Sequence, residues 1–331
     1  MNQLQRTAII SGVLGQDGYY LAELLHTKKY NIVGLATNLN SHAAQKRRVE
    51  QPFLKLIECN IENQESIAYL LELERPTEFY NLAGKSFVGD SWKNAKTVAQ
   101  VNGMAVLGVL DEILKYQQQH GREIKFYQAS SSELFGLTNS APQSELSSFH
   151  PNSPYGVAKA FAHHLTVNYR DSYGLFACCG ILYNHESPRR EPKFVTRKVT
   201  QAVARIALGR QKKLVLGNLD IERDWGFAGD YVDAMWRMLQ LNKPTDFVVA
   251  TGVKHSVAEL CQVAFGHVGI SKWQDYVTHD MAYSRPVDAT DLVGDPRRAQ
   301  ELLGWKAQMK FEDLIKNMVR HDLDMETRNL E

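Results

Sequence analysis

A chain of 331 residues with 38 Lys and Arg against 37 Asp and Glu carries a formal net charge of +1. Hydrophobic residues make up 44% and charged residues 23%, which excludes disorder and offers no bulk positive charge to draw the chain onto nucleic acid. The longest apolar run, Phe176 to Tyr183, is far short of the roughly 18 residues of a membrane span, and Met1-Asn2-Gln3-Leu4-Gln5-Arg6 has no charged-then-apolar secretory pattern, so a cytoplasmic protein without a membrane partner is expected.

In chain order, Thr7–Ser11 reads as a strand, followed by a Gly-rich turn and a helix from Tyr19 to His26. Ile32–Ala36 and Leu54–Glu58 read as strands, Ile67–Leu73 as a helix, and Glu78–Asn81 as a fourth strand. Val98–Tyr116 has helical spacing, with Val101, Ala105, Gly108, Val109 and Glu112 on one face, and Lys125–Ala129 is a fifth strand. Short strands separated by helices imply βαβ units in a parallel sheet. A helix over Tyr155–Tyr173 then feeds a strand at Phe176–Leu182, and Asn184–Pro192 is a polar loop. Helices at about Phe194–Leu208, Tyr231–Leu241, Val257–Val268 and Phe311–Glu326 follow without that rhythm and suggest a smaller lobe. A length near twice ~150 fits about two domains. Residues 1–182 with part of 220–255 are expected to bind a dinucleotide, and the remainder of 183–331 to form the second lobe. Cys59, Cys178, Cys179 and Cys261 lie in apolar settings with no metal spacing and are expected to be buried thiols; no metal site is expected.

Gly12-Val-Leu-Gly15-Gln-Asp-Gly18 directly follows the first strand and opens a helix. Glycines at this spacing permit a tight turn, close approach to a pyrophosphate and close helix packing, and the helix N-terminus offers free N–H groups to the anion. The expected fold is therefore α/β, a Rossmann-type doubly wound parallel sheet with a smaller α/β C-terminal lobe. An acidic residue at the end of strand two would hold an NAD ribose. Ala36-Thr37-Asn38-Leu39 stands there instead, with Lys46-Arg47-Arg48 beyond, which tilts the expectation from NAD toward NADP.

Tyr155 and Lys159, four residues apart on a helix, share a face. A neighbouring ammonium and an oxidised nicotinamide would lower the phenol pKa from near 10, fitting Tyr155 to take a hydroxyl proton. Ser130, Ser131, Ser132 and Glu133 follow strand five, where ligands sit at the carboxyl ends of parallel strands. The His163-His164 pair has no partner at metal spacing and reads as packing or surface.

Ser131, Tyr155 and Lys159 together resemble the catalytic set of the extended short-chain dehydrogenase/reductases. The resemblance narrows with Gly-x-x-Gly-Gln-Asp-Gly, Tyr127-Gln-Ala-Ser-x-Ser-Glu-Leu-Phe-Gly136, Ser153-Pro-Tyr-Gly-x-Ala-Lys159, Asn184-His-Glu-Ser-Pro-Arg-Arg190, Phe194-Val-Thr-Arg-Lys198 and Leu216-Gly-Asn-Leu-Asp-x-x-Arg-Asp-Trp225. From about residue 6 to the C-terminal helix the chain is similar to the GDP-mannose 4,6-dehydratases. The resemblance implies Ser131 as the hydroxyl residue, Glu133 as general acid and base at C5 and C6, Tyr155 as the base at the C4 hydroxyl, and Lys159 on the nicotinamide ribose. It places Gly12, Gly15, Gln16, Asp17, Gly18, Thr37, Asn38, Asn60, Ile61, Leu82, Ala83, Gly84, Ser86, His185 and Arg190 around the cofactor, with Arg190 reaching a neighbouring subunit of a dimer or tetramer. Ser86, Asn184, Val195, Lys198, Leu216, Gly217, Arg223 and Arg285 would join Ser131, Glu133 and Tyr155 on the GDP-sugar. Arginines suit diphosphate recognition by bidentate bonding; the plainer reading of Arg223 and Arg285 is ion pairing with Asp224 and Asp288.

The sequence departs from that pattern in four places. Ser131 stands where the family usually has Thr, Thr37-Asn38 replaces an arginine pair, Lys85 replaces Gln, and Glu191 replaces Gly. The competing readings are a 4-reductase or epimerase, which shares Tyr155 and Lys159 without needing Glu133, a non-catalytic nucleotide sensor, and a dehydratase of another GDP-hexose.

Overall fold

The computed structural model describes residues 6–138, 141–280 and 292–328. Its first half runs β1 (Thr7–Ser11), α1 (Gln16–Thr27), β2 (Asn31–Ala36), α2 (His42–Glu50), β3 (Lys55–Glu58), α3 (Gln64–Glu74), β4 (Glu78–Asn81), α4 (Ala95–Ala99), α5 (Ala105–His120) and β5 (Lys125–Ala129). Then follow α6 (Pro154–Tyr173), β6 (Ala177–Leu182), β7 (Asn184–Glu186), α7 (Val195–Ala207), β8 (Leu214–Leu216), β9 (Glu222–Phe227) and α8 (Ala228–Leu239). The last elements are β10 (Phe247–Val249), β11 (Lys254–Ser256), α9 (Val257–His267), β12 (Val277–His279), α10 (Arg297–Leu303) and α11 (Phe311–Arg328).

Seven strands form one parallel sheet in the order β10-β6-β5-β4-β1-β2-β3. Alternate residues of each strand are buried on opposite faces. Ala8, Ile10, Tyr80 and Tyr127 pack under α1, α8 and α10, while Ile9, Val33, Phe79 and Phe126 pack under α3, α5 and α6. Helices on both faces of an all-parallel sheet make the doubly wound α/β fold anticipated above. The strand order reverses at β1, which has β2 on one side and β4 on the other, and this switch point opens a crevice at the strands' carboxyl ends.

Three local features differ from the sequence reading. The segment His42–Glu50 is helical although it shows no apolar stripe; Ser41 starts it by accepting a hydrogen bond from the Ala44 N–H at 3.3 Å. The polar Asn184–Pro192 loop begins as a strand, because the backbone of β7 pairs in parallel with β9 and satisfies its N–H and C=O groups there. The single helix expected over Val98–Tyr116 is interrupted by a π-turn at Gln100–Met104 between α4 and α5. The stretch Ala95–His120 spans 26 residues with a mean hydropathy of 1.3 over its most apolar window, enough by length and composition to cross a membrane. Val106, Val109, Leu110 and Ile113 are instead buried against the sheet, which makes it a core helix. All four cysteines are buried thiols.

A separate apolar cluster joins α7, α9 and α11 with Leu214, Leu216 and Trp225. Between its contributions the chain returns to the main sheet with α8 and β10, and returns again with Ala299, Leu303 and Trp305. Inside the second cluster Arg197 of α7 forms a buried ion pair with Asp322 of α11, whose other oxygen accepts from the Thr200 hydroxyl at 2.8 Å. Removing one partner of a buried pair strands the other charge. Asp322→Ala should therefore destabilise the protein by about 3–5 kcal/mol, read as a fall in the urea midpoint.

Candidate active site

The turn between β1 and α1 fits a dinucleotide because it has no room for side chains. Gly12 adopts φ +67°, and a Cβ there would lie 2.7 Å from the Ala83 nitrogen, so the turn presses directly against the end of β4. Gly15 precedes α1 and no side chain caps that N-terminus, leaving the first-turn N–H groups to face an anion.

The crevice beside it is a cleft of about 490 Å³. A buried polar relay aligns its floor. The Ser11 hydroxyl donates to Asn81 Oδ1 at 2.6 Å, Asn81 Nδ2 donates to Gln128 Oε1 at 2.8 Å, and Gln128 Nε2 donates to the Ala129 carbonyl at 2.9 Å. Ser11 Oγ also accepts the N–H groups of Leu82 and Ala83, each at 3.1 Å. Lys159 Nζ closes the relay by donating to the same Ala129 carbonyl at 2.9 Å. The ends of β1, β4 and β5 are thereby locked to the α6 lysine.

Helix α6 starts at Ser153, whose hydroxyl accepts the Gly156 N–H at 3.0 Å, with Pro154 in the first turn. A Cβ on Gly156 would sit 2.6 Å from the Glu133 carbonyl oxygen. The glycine beside Tyr155 thus lets the helix start touch the backbone that carries Glu133. Ser131 Oγ accepts the Glu133 N–H at 3.3 Å and starts a short 3₁₀ turn. Ser131, Glu133, Tyr155 and Lys159 all line the cleft and all are more than nine-tenths buried.

The expected lowering of the Tyr155 pKa does not arise from the protein alone. Burial pushes the phenol up to about 12; the hydrogen bond to Ser131 opposes this and the Glu133 charge adds to it. Lys159 is brought down to about 8 by burial, and its ammonium lies 5.8 Å from the Tyr155 ring centre. Desolvation is the largest cause of both shifts.

His185 joins the far wall to α1. Its Nδ1 is 2.7 Å from the Tyr183 carbonyl, which can only accept, and its Nε2 is 2.8 Å from Asp17 Oδ2. Both nitrogens must carry protons to serve both acceptors. Burial disfavours that imidazolium, yet the Asp17 carboxylate wins and raises its pKa. Burial likewise opposes the Asp17 charge, and His185 nonetheless holds its pKa below the usual carboxylate value. Gln16 reinforces the joint, donating to the His185 carbonyl at 3.0 Å and accepting from Ser187 at 2.7 Å. Arg190 pairs with Glu186 at 3.1 Å and lies over the Phe194 ring.

This arrangement agrees with what the chain is similar to. A family model described as GDP-mannose 4,6 dehydratase matches residues 9–318. The chain belongs to the GDP-mannose 4,6-dehydratase family. GDP-mannose 4,6 dehydratase 2 of Arabidopsis thaliana is 46% identical, over 98% of this chain and 88% of that protein, and the Homo sapiens GDP-mannose 4,6 dehydratase is 39% identical, over 99% and 94%. Among solved structures, the UDP-glucose 4-epimerase of Thermotoga maritima superposes with a TM-score of 0.84 at 23% identity, over 98% of this chain and all of that one. The dTDP-glucose 4,6-dehydratase of Streptomyces venezuelae, solved with NAD, gives 0.84 at 20%, over 98% of each chain. These two likenesses establish the shared fold.

Of the residues that the family resemblance singles out, Gly12, Gly15, Gln16, Asp17, Gly18, Leu82, Gly84, Ser86, Asn184, His185 and Arg190 line the same cleft as Ser131, Glu133, Tyr155 and Lys159. Thr37, Asn38, Asn60 and Ile61 stand beyond it, at the carboxyl ends of β2 and β3. Ala83, Val195, Lys198, Leu216, Gly217 and Arg223 also lie outside the lining. Arg223 is buried in β9, not a surface charge, and donates to the Glu222 carbonyl at 2.7 Å. Arg285 and Asp288 lie outside the described residues. His163 is packed within the core with its pKa brought down to about 4 by burial, and His164 is exposed.

Two contributors escaped the sequence reading. Asn102, in the π-turn, is buried; its Oδ1 accepts the Lys85 N–H at 2.8 Å and its Nδ2 donates to the Lys85 carbonyl at 3.0 Å, which fixes the Leu82–Ser86 loop. Glu58, at the end of β3, accepts the Leu39 N–H at 3.1 Å. A carboxylate therefore does stand beside the end of β2, supplied by the neighbouring strand where a search along β2 could not find it.

The His185–Asp17 pair makes stability depend on pH. The raised His185 contributes fully below about pH 6.5 and loses its contribution as pH rises through its folded pKa, while the lowered Asp17 contributes above about pH 3.9 and loses it as pH falls through its own. Asp17→Asn should lower the melting temperature most at pH 5–6, a deficit that narrows at pH 9 in parallel thermal melts.

Proposed function

We propose that the protein is a lyase that dehydrates GDP-mannose to GDP-4-keto-6-deoxy-mannose with a tightly held nicotinamide dinucleotide. Family membership over nearly the whole chain supports the reaction class. The observation that carries the mechanism is the convergence of Glu133 with Ser131, Tyr155 and Lys159 on one cleft. A 4-reductase or epimerase needs the last three alone; an elimination also needs a carboxylate, and Glu133 provides it.

Gly12, Gly15 and the open N-terminus of α1 would hold the pyrophosphate, and Lys159 the nicotinamide ribose. When bound, the nicotinamide supplies a hydride acceptor for sugar C4 and a donor for C6, so its oxidation state is restored at the end of the cycle. Tyr155 takes the proton of the C4 hydroxyl while Ser131 bonds that oxygen. The resulting C4 ketone acidifies C5–H. Glu133 removes that proton and delivers one to the departing C6 hydroxyl, which leaves as water. The high intrinsic pKa of Tyr155 makes it a strong base once ionised, and positive charge at Lys159 and at the oxidised ring favours that ionised form.

The main sheet serves in this reading as the dinucleotide-binding unit, and the α7–α9–α11 unit as the sugar-nucleotide lobe. Lys198 and Arg223 lie in or beside that lobe, where their cationic heads suit a diphosphate. Thr37-Asn38 in place of an acidic residue at the end of β2 tilts the cofactor form toward NADP, and the Glu58 carboxylate beside that strand end counts against it. Assembly into a dimer or tetramer through the Asn184–Pro192 loop belongs to the same proposal; light scattering on the purified protein measures it.

Turnover of GDP-mannose in deuterated water tests the reaction. The expected product has lost one water and carries deuterium at C5, with no net change in nicotinamide absorbance; stoichiometric reduction or oxidation of the cofactor overturns the dehydratase reading. Glu133→Gln should lower kcat by about 10²–10⁴ while the affinity for dinucleotide is unchanged in a binding titration.

A further inference from the structure

The edge of the crevice at β2 and β3 carries a specificity element that a linear reading conceals. A carboxylate at the end of strand two selects NAD by accepting from the ribose 2′-hydroxyl, whereas an arginine there accommodates the 2′-phosphate of NADP. In this chain Ala36 and Glu58 are the final residues of β2 and β3 and are paired directly across the sheet. The Glu58 side chain turns toward the segment that follows β2, where its Oε2 accepts the Leu39 N–H at 3.1 Å, one residue beyond Thr37-Asn38. Its carboxylate thus stands beside the end of β2, where the ribose of a bound dinucleotide is expected, although it belongs to a different strand.

Among the described residues around it, Asn38, Lys46 and Arg47 are engaged elsewhere. Asn38 is engaged in its own turn, its Oδ1 accepting the Asn40 N–H at 2.8 Å. Arg47 is buried, its guanidinium donating to Gln51 Oε1 at 3.0 Å and to the Leu14 and Gly15 carbonyls at 3.3 and 3.4 Å, beneath the glycine turn. Lys46 pairs with Glu50 at 3.7 Å. Arg48 is exposed on α2.

We infer that Glu58 is a specificity-determining residue that excludes the 2′-phosphate and makes NAD the preferred dinucleotide of this chain. The inference rests on the dinucleotide-binding part of the proposed function and is independent of which sugar is dehydrated. A 2′-phosphate carries nearly two negative charges at pH 7. Beside a carboxylate in solvent-exposed space it should weaken binding about tenfold relative to the free hydroxyl, more at low salt and less at high salt.

The test is titration of the full-length protein with NAD and, separately, NADP, followed by calorimetry without any sugar nucleotide. The wild type should bind NAD about tenfold more tightly. Glu58→Gln, which keeps an acceptor for the Leu39 N–H, should bring the two affinities within about twofold, chiefly by tightening NADP. Tighter NADP binding by the wild type, or an unchanged ratio in Glu58→Gln, overturns the inference. So does a selective loss of NADP binding in Arg48→Ala, which would make the α2 cation the determinant. Failure to bind either dinucleotide overturns the underlying reading as well, whereas a reversed order of affinities overturns this step alone.

Discussion

The site depends on one carbonyl. Ala129 O receives both Gln128 Nε2 and Lys159 Nζ, and through Gln128 and Asn81 it is tied to Ser11 at the start of the glycine turn. Buried polar groups of this kind are costly unless every member has a partner, and a satisfied network fixes a unique geometry. Here it sets the distance between the surface that would cradle a pyrophosphate and the helix that presents Tyr155. Apolar packing on the two sheet faces could hold the strands together, but it is not directional. The relay supplies the direction.

A second tie works across the cleft. His185, Asp17, Gln16 and Ser187 bind the strand after β6 to the first turn of α1. An ionised Asp17 there also complements the positive end of that helix. The pair is therefore structural and electrostatic together, joining the wall that carries Arg190 to the turn that would carry the dinucleotide. A lowered pKa at Lys159 and raised pKa values at Tyr155 and His185 lie within this one crevice. Clustering of shifted groups in a cleft is the pattern expected of a reaction centre.

Much of this was legible from the residues. Parallel strands buried on both faces read as short apolar runs, and β1, β4 and β5 fell where those runs predict. The four residues proposed for chemistry were recognisable because each sits in a short motif whose spacing reports a local turn or helix face. What escaped were features made by pairing across the sequence. Glu58 reaches the end of β2 only because β3 lies beside it, and β7 is a strand only because β9 offers a partner. Asn102 was hidden for another reason: apolar periodicity cannot show a π-turn, since one extra residue leaves the flanking stripes in place. The upward push of burial on Tyr155 was not visible in the sequence, because a neighbouring charge can be read there and the depth of burial cannot.

That π-turn has a consequence for how the protein can vary. A π-turn adds one residue to a helix, so deleting one residue at Gln100–Met104 would restore regular helical geometry and leave the core stripe of α5 intact. Each helical residue turns the chain by about 100°, so the same deletion would swing Asn102 off the Lys85 backbone. The helix is thus less regular than its composition allows, and the irregularity lies in the part that holds the Lys85 backbone. The extra residue thus serves the geometry of the Leu82–Ser86 loop and not the packing of the core.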